Sequence, residues 1–124
     1  MELLERADDE AATARINAAA WNFLADMSVG AWNAAFSRLH PDLQTSCGSA
    51  ERLERVVEGA GERPQSWTLR EPSVRKHTGL ITGSVERADG TPGIVEFSMD
   101  LSDGGWRIWA WSAGNRELCL EQDD

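Results

Sequence analysis

GGWRIWAWSA, residues 104–113, is the part of the sequence on which the architecture depends. Three of the six tryptophans of the chain, Trp106, Trp109 and Trp111, lie within six positions of this stretch, which we interpret as a strand. Successive side chains on a strand point to opposite faces, so simple alternation places Trp106 with Ile108 and places Trp109 with Trp111. Both faces of the strand therefore need cover. Upstream helices can supply one layer, and a further layer, a ligand or a second copy of the chain must supply the other.

The sequence before this stretch predicts three more strands. After Pro64 it becomes rich in Thr, Val, Ile and Trp, with turn residues between the runs. Pro72 marks an edge position or a bulge because it has no N–H to donate, and Gly83 is a candidate bulge. Ala-Asp-Gly-Thr-Pro-Gly and Ser-Asp-Gly-Gly are the predicted hairpin turns. The predicted strands cover residues 66–77, 79–87 and 94–101, and a last segment, 117–120, extends or covers the sheet.

The first half of the chain predicts three helices, over residues 9–28, 31–39 and 50–61. Apolar residues recur at helical spacing in each of them. Pro41 is expected to end the second helix, because the residue before a proline is pushed out of the helical region. Ser49 is positioned to cap the third helix, and Gly59 or Gly61 to close it.

Three helices followed by an antiparallel meander of about four strands predict an α+β fold, with the helices packed on one face of a curved sheet. The length of 124 residues fits a single domain over 1–124, and we expect 1–8 and 121–124 to be flexible ends. No window is long and apolar enough to span a bilayer, and the charged N-terminus does not resemble a signal peptide. We expect a cytoplasmic protein; an extracytoplasmic domain of an anchored or secreted protein is the alternative.

Charge and cysteine content narrow the possible partners. Twenty-one acidic residues against twelve basic ones give a net charge of −9, which disfavours binding to nucleic acids and to anionic lipid. The two cysteines, Cys47 and Cys119, lack zinc-site spacing, so no metal site is predicted. They form either a disulfide that closes a loop of about 70 residues or two unpaired thiols.

The order of elements resembles the NTF2-like superfamily, with its cystatin-like cone, over about residues 10–113. The resemblance is carried by Gly-Ala-Trp at 30–32, Pro-Asp at 41–42, the Ala-Asp-Gly turn and the strand-opening Gly-Gly-Trp-Arg-Ile. It implies a pocket between the helices and the concave face of the sheet, and often a dimer through the opposite face. Binding domains share this fold with ketosteroid isomerases, SnoaL-type polyketide cyclases and proteins like limonene-epoxide hydrolase, so the fold alone selects no function.

Enzymes of this superfamily use a pocket carboxylate as a base, often assisted by a tyrosine, and this chain has no tyrosine. Asp26, Asp42 and Asp100 are the carboxylates nearest the seam between helices and sheet. Asp100, Asp42 and His77 are the candidate catalytic residues, each weighed against a plain solvent-exposed role. Asp100 alternates with Phe97 and Met99, so it enters the pocket only if its own face of the strand lines that pocket. No nucleotide or nucleophile motif is present, and no cofactor is predicted.

The aromatic residues provide the positive indication of binding. Trp109 and Trp111 are predicted to form a flat patch beside Arg107, which is internal packing, a self-association surface or a ligand wall. The predicted pocket-lining residues are Trp21, Trp32, Trp67, Phe97, Met99 and Trp111.

These observations favour a non-catalytic NTF2-like binding or interaction domain. We expect it to hold a small apolar ligand and to be homodimeric through Trp109 and Trp111. The alternative is a small-molecule isomerase, a polyketide-cyclase-like enzyme or an epoxide-hydrolase-like enzyme with a pocket carboxylate as general base.

Overall fold

A computed structural model describes residues 2–102, 105–114 and 116–119. Within these ranges the chain is α+β, with four helices and one antiparallel sheet. None of the described helices combines the length and apolar character needed to cross a membrane. The helices are α1 (Glu2–Ser28), α2 (Trp32–Ser37), α3 (Pro41–Cys47) and α4 (Ala50–Ala60). The strands are β1 (Pro64–Leu69), β2 (Ser73–Arg75), β3 (Thr78–Arg87), β4 (Pro92–Ser102), β5 (Gly105–Ala113) and β6 (Arg116–Glu117).

The sheet has the strand order β1-β3-β4-β5-β6, and β2 pairs with β3 beyond the end of β1. Helix α1 lies along one face of this sheet, which we call the inner face. The opposite face is the outer face. Gly79 fixes the assignment, because a Cβ on it would lie 2.5 Å from Cδ1 of Ile16 in α1.

The helical half differs from the sequence prediction at its start and at Pro41. Helix α1 begins at Glu2 rather than at residue 9. Pro41 does more than end the second helix, because it also begins α3, where its fixed φ suits the first helical position. The described part of the chain thus has four helices instead of three. The predicted cap of the last helix is confirmed: Ser49 Oγ accepts from the N–H of Arg52 at 3.1 Å, and Gly61 closes the helix in the left-handed conformation.

Two predictions for the early strands need correction. The strand predicted over 66–77 is divided into β1 and β2, and Pro72 lies in the gap, where its missing N–H removes no ladder hydrogen bond. Gly83 is not a bulge, since it pairs in continuous register with Leu69 and Val95. A Cβ at Gly83 would lie 2.6 Å from the carbonyl oxygen of Thr68, so glycine is required here by the close approach of β1.

The hairpin turn predicted between the second and third strands is confirmed at the junction of β3 and β4. Asp89 Oδ1 accepts from the hydroxyl of Thr91 at 2.7 Å and from its N–H at 3.0 Å. These bonds lower the pKa of Asp89, the hydroxyl contributing most. The turn is therefore stabilised when Asp89 is ionised, and this contribution is lost as the pH falls through the lowered pKa.

A bulge between β4 and β5 changes the orientation of the tryptophans. Ser98 pairs with Ala110 and Met99 pairs with Ile108, so Trp109 is an extra residue on β5. The alternation restarts after it. Ile108 and Trp111 both face the helices, and Trp111 is 1% exposed, whereas Trp109 lies on the outer face and is 54% exposed. The prediction that Trp109 and Trp111 form one patch is therefore wrong.

The core lies between α1 and the inner face of the sheet. Phe23 of α1 makes edge-on ring contacts with Phe97 at 5.7 Å and with Trp111 at 5.0 Å between centroids. All three rings are fully buried. Burial of aromatic side chains of this size is a main source of stability in a domain of this length.

The remaining edge of β5 is covered by two segments. Leu39 forms a parallel bridge with Ile108, whose carbonyl accepts from the N–H of His40 at 2.7 Å. Farther along, β6 pairs with β5, and Leu118 donates its N–H to the carbonyl of Trp111 at 3.1 Å. Cys119 forms a disulfide with Cys47 at the end of α3. The predicted segment 117–120 thus extends the sheet and covers the core as far as Cys119; Leu120 lies outside the described residues, as do 121–124.

Candidate functional site

An open depression of about 580 Å³ lies on the outer face, across β2, β3, β4 and β5. We call it the outer-face depression. Its apolar border comes from Trp109 and Leu80, both exposed. Its outward-facing residues include Arg75, Thr78, Leu80, Ser98, Asp100 and Trp109.

Strand register places these residues in two adjacent rows. Arg75, Thr78, Asp100 and Arg107 pair in sequence across β2 to β5. Because adjacent strands are about 4.8 Å apart, the backbones at Arg75 and Asp100 are separated by roughly 10 Å. The second row contains Leu80, Ser98 and Ala110 in the same order. On β5, the first row contains Arg107 and the second contains Ala110. Trp109 is the extra residue of the bulge and lies between these two positions, so its indole lies beside the row that contains Asp100.

His40 lies behind Asp100 and links it to α3. Its Nδ1 accepts from the N–H of Asp42 at 3.1 Å, which leaves the proton of the neutral imidazole on Nε2. Nε2 is 3.6 Å from Oδ2 of Asp100, and Nδ1 is 3.8 Å from Oδ2 of Asp42. His40 is 17% exposed and Asp100 is 35% exposed. The imidazole is therefore close to Asp100 without a direct hydrogen bond, while the carboxylate stays accessible from the depression.

The structure thus separates the three predicted catalytic residues. Asp100 lines the outer-face depression. Asp42 is on the other side of His40 and is largely exposed, outside the depression. His77 lies in the turn between β2 and β3 with its side chain exposed, and it does not line the depression. Asp26 pairs with Arg38 at 2.6 Å, which gives it a structural role.

Sequence reasoning missed the part that His40 plays. The predicted second helix, 31–39, places His40 just after its C-terminal end, whereas His40 caps the N-terminus of α3. The sequence signal was present in His-Pro-Asp, since a side-chain acceptor before a proline is a helix start. Its proximity to Asp100 depends on the bridge between Leu39 and Ile108, which no local pattern indicates.

The predicted pocket-lining residues do not converge on a pocket between helices and sheet. Trp32, Phe97, Met99 and Trp111 are buried parts of the core. Trp21 is 48% exposed on α1 and contacts the ring of Trp67 edge-on at 5.2 Å. Only Met99 also borders the outer-face depression. Packed side chains therefore occupy the place where the sequence predicted a cavity.

A second depression, of about 720 Å³, lies between α1 and the loop after β1. It is larger than the outer-face depression, and polar side chains, including Glu10, Asn17, Arg70 and Glu71, contribute a greater share of its border. No exposed aromatic ring lines it. Small-molecule sites are concave and mainly apolar with a few polar groups, so the outer-face depression is the better candidate.

Comparison with protein-family models and with curated proteins finds no match for this chain. The chemistry of the site is therefore the basis for assigning a function. Within the described ranges no three His, Cys, Asp or Glu side chains come together as metal ligands. The outer-face depression offers an indole, an aliphatic side chain, hydroxyls and one half-exposed carboxylate, which suits reversible binding of a small molecule with apolar and donor groups.

Proposed function

We propose that this chain is a non-catalytic binding domain of NTF2-like architecture that takes a small molecule in the outer-face depression. The observation that carries the proposal is the exposure of Trp109, 54%, at the border of a concave surface. Exposed aromatic side chains at a concave surface are typical of binding sites, because an indole supplies a large contact area at little conformational cost.

The size and composition of the outer-face depression support this function. Its volume of about 580 Å³ is within the range of small-molecule sites, about 300–1,000 Å³. Trp109 and Leu80 give it an apolar wall, and Thr78, Ser98 and Asp100 give it directional hydrogen-bonding groups. The NTF2-like assignment itself is supported by the α+β element order, with helices on one face of an antiparallel sheet.

The proposal is tested by ¹⁵N NMR of the tryptophan indole N–H groups during titration with three probes of one size. These are choline, its neutral carbon isostere 3,3-dimethylbutan-1-ol, and the anion 3,3-dimethylbutanoate. We expect at least one probe to shift the Trp109 resonance saturably at millimolar concentration. Trp109→Ala should abolish binding, and Trp21→Ala, which removes an equally exposed indole on α1, should leave it unchanged. If none of the three probes shifts Trp109, the proposal is wrong.

A second copy of the chain is the competing occupant of the same face. With Trp111 buried, the predicted homodimer would have to form around Trp109 and Leu80. The same spectra separate the two cases. A dimer shifts the Trp109 resonance on dilution without any probe, whereas a ligand site shifts it only on titration.

The second candidate function is catalytic, as an isomerase, a polyketide-cyclase-like enzyme or an epoxide-hydrolase-like enzyme. The position of Asp100 favours it, because a half-exposed carboxylate borders the depression with His40 Nε2 3.6 Å behind it. Such a carboxylate is placed to remove a proton from a bound carbon acid. Deuterium uptake into a bound carbon acid distinguishes this candidate, since only the enzyme would catalyse it and Asp100→Asn would abolish it.

A further inference from the structure

We propose that the outer-face depression selects an organic cation, a small ammonium compound with apolar surface, over neutral and anionic molecules of the same size. This inference rests on the proposed function, because it names the ligand class of the same site. It is carried by the juxtaposition of the Trp109 indole with the Asp100 carboxylate on adjacent strands.

The first contribution comes from the face of the Trp109 ring. An indole attracts a cation over its π face more strongly than other aromatic rings do. The ring contacts found among the described aromatic residues involve Trp21, Trp67, Phe23, Phe97 and Trp111, but not Trp109. With 54% of its surface exposed, the Trp109 indole is therefore available to a ligand.

The second contribution comes from the carboxylate of Asp100. Its partner on β5 is Arg107, which would compete with a cationic ligand if the two side chains formed an ion pair. Arg107 instead donates from Nη1 to the carbonyl oxygen of Ser37 at 2.6 Å, toward the end of α2. Among the described residues, the basic group found within 4 Å of Asp100 is His40, with Nε2 3.6 Å from Oδ2. The Asp100 carboxylate is therefore not paired with Arg107, and it is accessible to a ligand from the depression.

The pairing of β4 with β5 places the two groups near each other on the outer face. Trp109 lies on β5 two positions beyond Arg107, the partner of Asp100, so the two residues are diagonal neighbours with backbones roughly 7–8 Å apart. An ammonium group between them can contact the indole and the carboxylate at the same time. Without the bulge, Trp109 would still face outward after Ile108, but Trp111 would face outward as well.

The net charge of the chain and the position of Arg75 both favour a ligand with a single positive charge. The net charge of −9 raises the local concentration of cations around the molecule. Arg75 borders the far side of the outer-face depression, and its backbone is roughly 10 Å from that of Asp100 in the same cross-strand row. Its positive charge at the far side of the depression disfavours a second positive charge on the ligand.

The test compares the dissociation constants of choline and 3,3-dimethylbutan-1-ol, which differ only by replacement of N⁺ with carbon. We expect choline to bind about tenfold more tightly to the wild type at low salt, and the advantage to fall as salt is added. Asp100→Asn should reduce this ratio to about two or three, the part contributed by the indole. Asp42→Asn is the matched control, because it removes the same charge beside the same histidine but outside the depression. It should leave the ratio unchanged.

Two results would overturn the inference while leaving the proposed function intact. One is equal affinity for choline and its isostere in the wild type, with binding still lost in Trp109→Ala, which would show a purely apolar site. The other is an equal decrease, in Asp42→Asn and Asp100→Asn, of the preference for choline over its neutral isostere. That result would show an effect of net charge alone. If no probe binds, the proposed function itself fails.

Discussion

Replacing Trp111 by alanine is expected to lower the free energy of unfolding by about 3–5 kcal/mol, as for other buried tryptophans. Trp111 is 1% exposed and fills the space between α1 and the sheet against Phe23. Alanine removes most of a bicyclic ring from this position, and the surrounding side chains relax only partly. Urea unfolding followed by far-UV circular dichroism measures the change.

Trp109→Ala is the matched control for this prediction. It removes the same ring two positions away on the same strand, but from a side chain that is mostly in water, and should cost less than about 1 kcal/mol. If Trp111→Ala fails to fold, Trp111→Phe supplies a milder test, with a smaller loss that should still exceed that of Trp109→Phe. An equal loss of unfolding free energy for the same substitution at Trp109 and at Trp111 would contradict the placement of the bulge.

Removal of the disulfide is expected to have the second large effect. Cys47 and Cys119 are separated by 72 positions, and the loop-entropy model assigns a crosslink over that distance roughly 4 kcal/mol of stability. The bond also holds the segment of Leu118 over Trp111. Cys47→Ala/Cys119→Ala should therefore unfold at a much lower urea concentration than the wild type.

Reduction is the control for the disulfide prediction. Wild-type protein unfolded in urea with an excess of dithiothreitol should lose about as much stability as the double variant, and the double variant should not respond to the reductant. An unfolding midpoint of the wild type that is the same with and without reductant would contradict a disulfide between these residues.

The elements of the fold could largely be predicted from the sequence because their signals are local. The alternation of Phe97 and Met99 with Asp100 predicted that they lie on opposite faces of β4, and the two apolar side chains are buried while Asp100 borders the outer-face depression. Ser49 and Gly61 predicted the two ends of α4. Each of these inferences uses residues within one element, where propensity and burial act together.

The bulge at Trp109 could not be predicted in the same way. Strict alternation in residues 104–113 gives a self-consistent reading in which Trp109 and Trp111 share a face. The actual register is set by how β5 pairs with β4, which is information from a second strand. Nothing in the residue types distinguishes the two tryptophans, since either indole can be buried or exposed.

The candidate site was only partly visible in the sequence for the same reason. Asp100 was identified as a possible pocket carboxylate on the condition that its face of the strand is the binding face. The structure places it on the border of the outer-face depression, near the exposed Trp109. The approach of His40 depends on a contact between distant parts of the chain, so sequence spacing gave no indication of it.

Hydrogen exchange of the indole N–H groups tests the central claim most directly, namely that β5 turns Trp111 inward and Trp109 outward. The two resonances are assigned with Trp109→Phe and Trp111→Phe. The Trp109 indole should exchange nearly as fast as free indole, while the buried Nε1–H of Trp111 should exchange orders of magnitude more slowly, through opening of the core. Exchange of Trp111 as rapid as that of Trp109 would contradict the bulge and the outer-face site built on it.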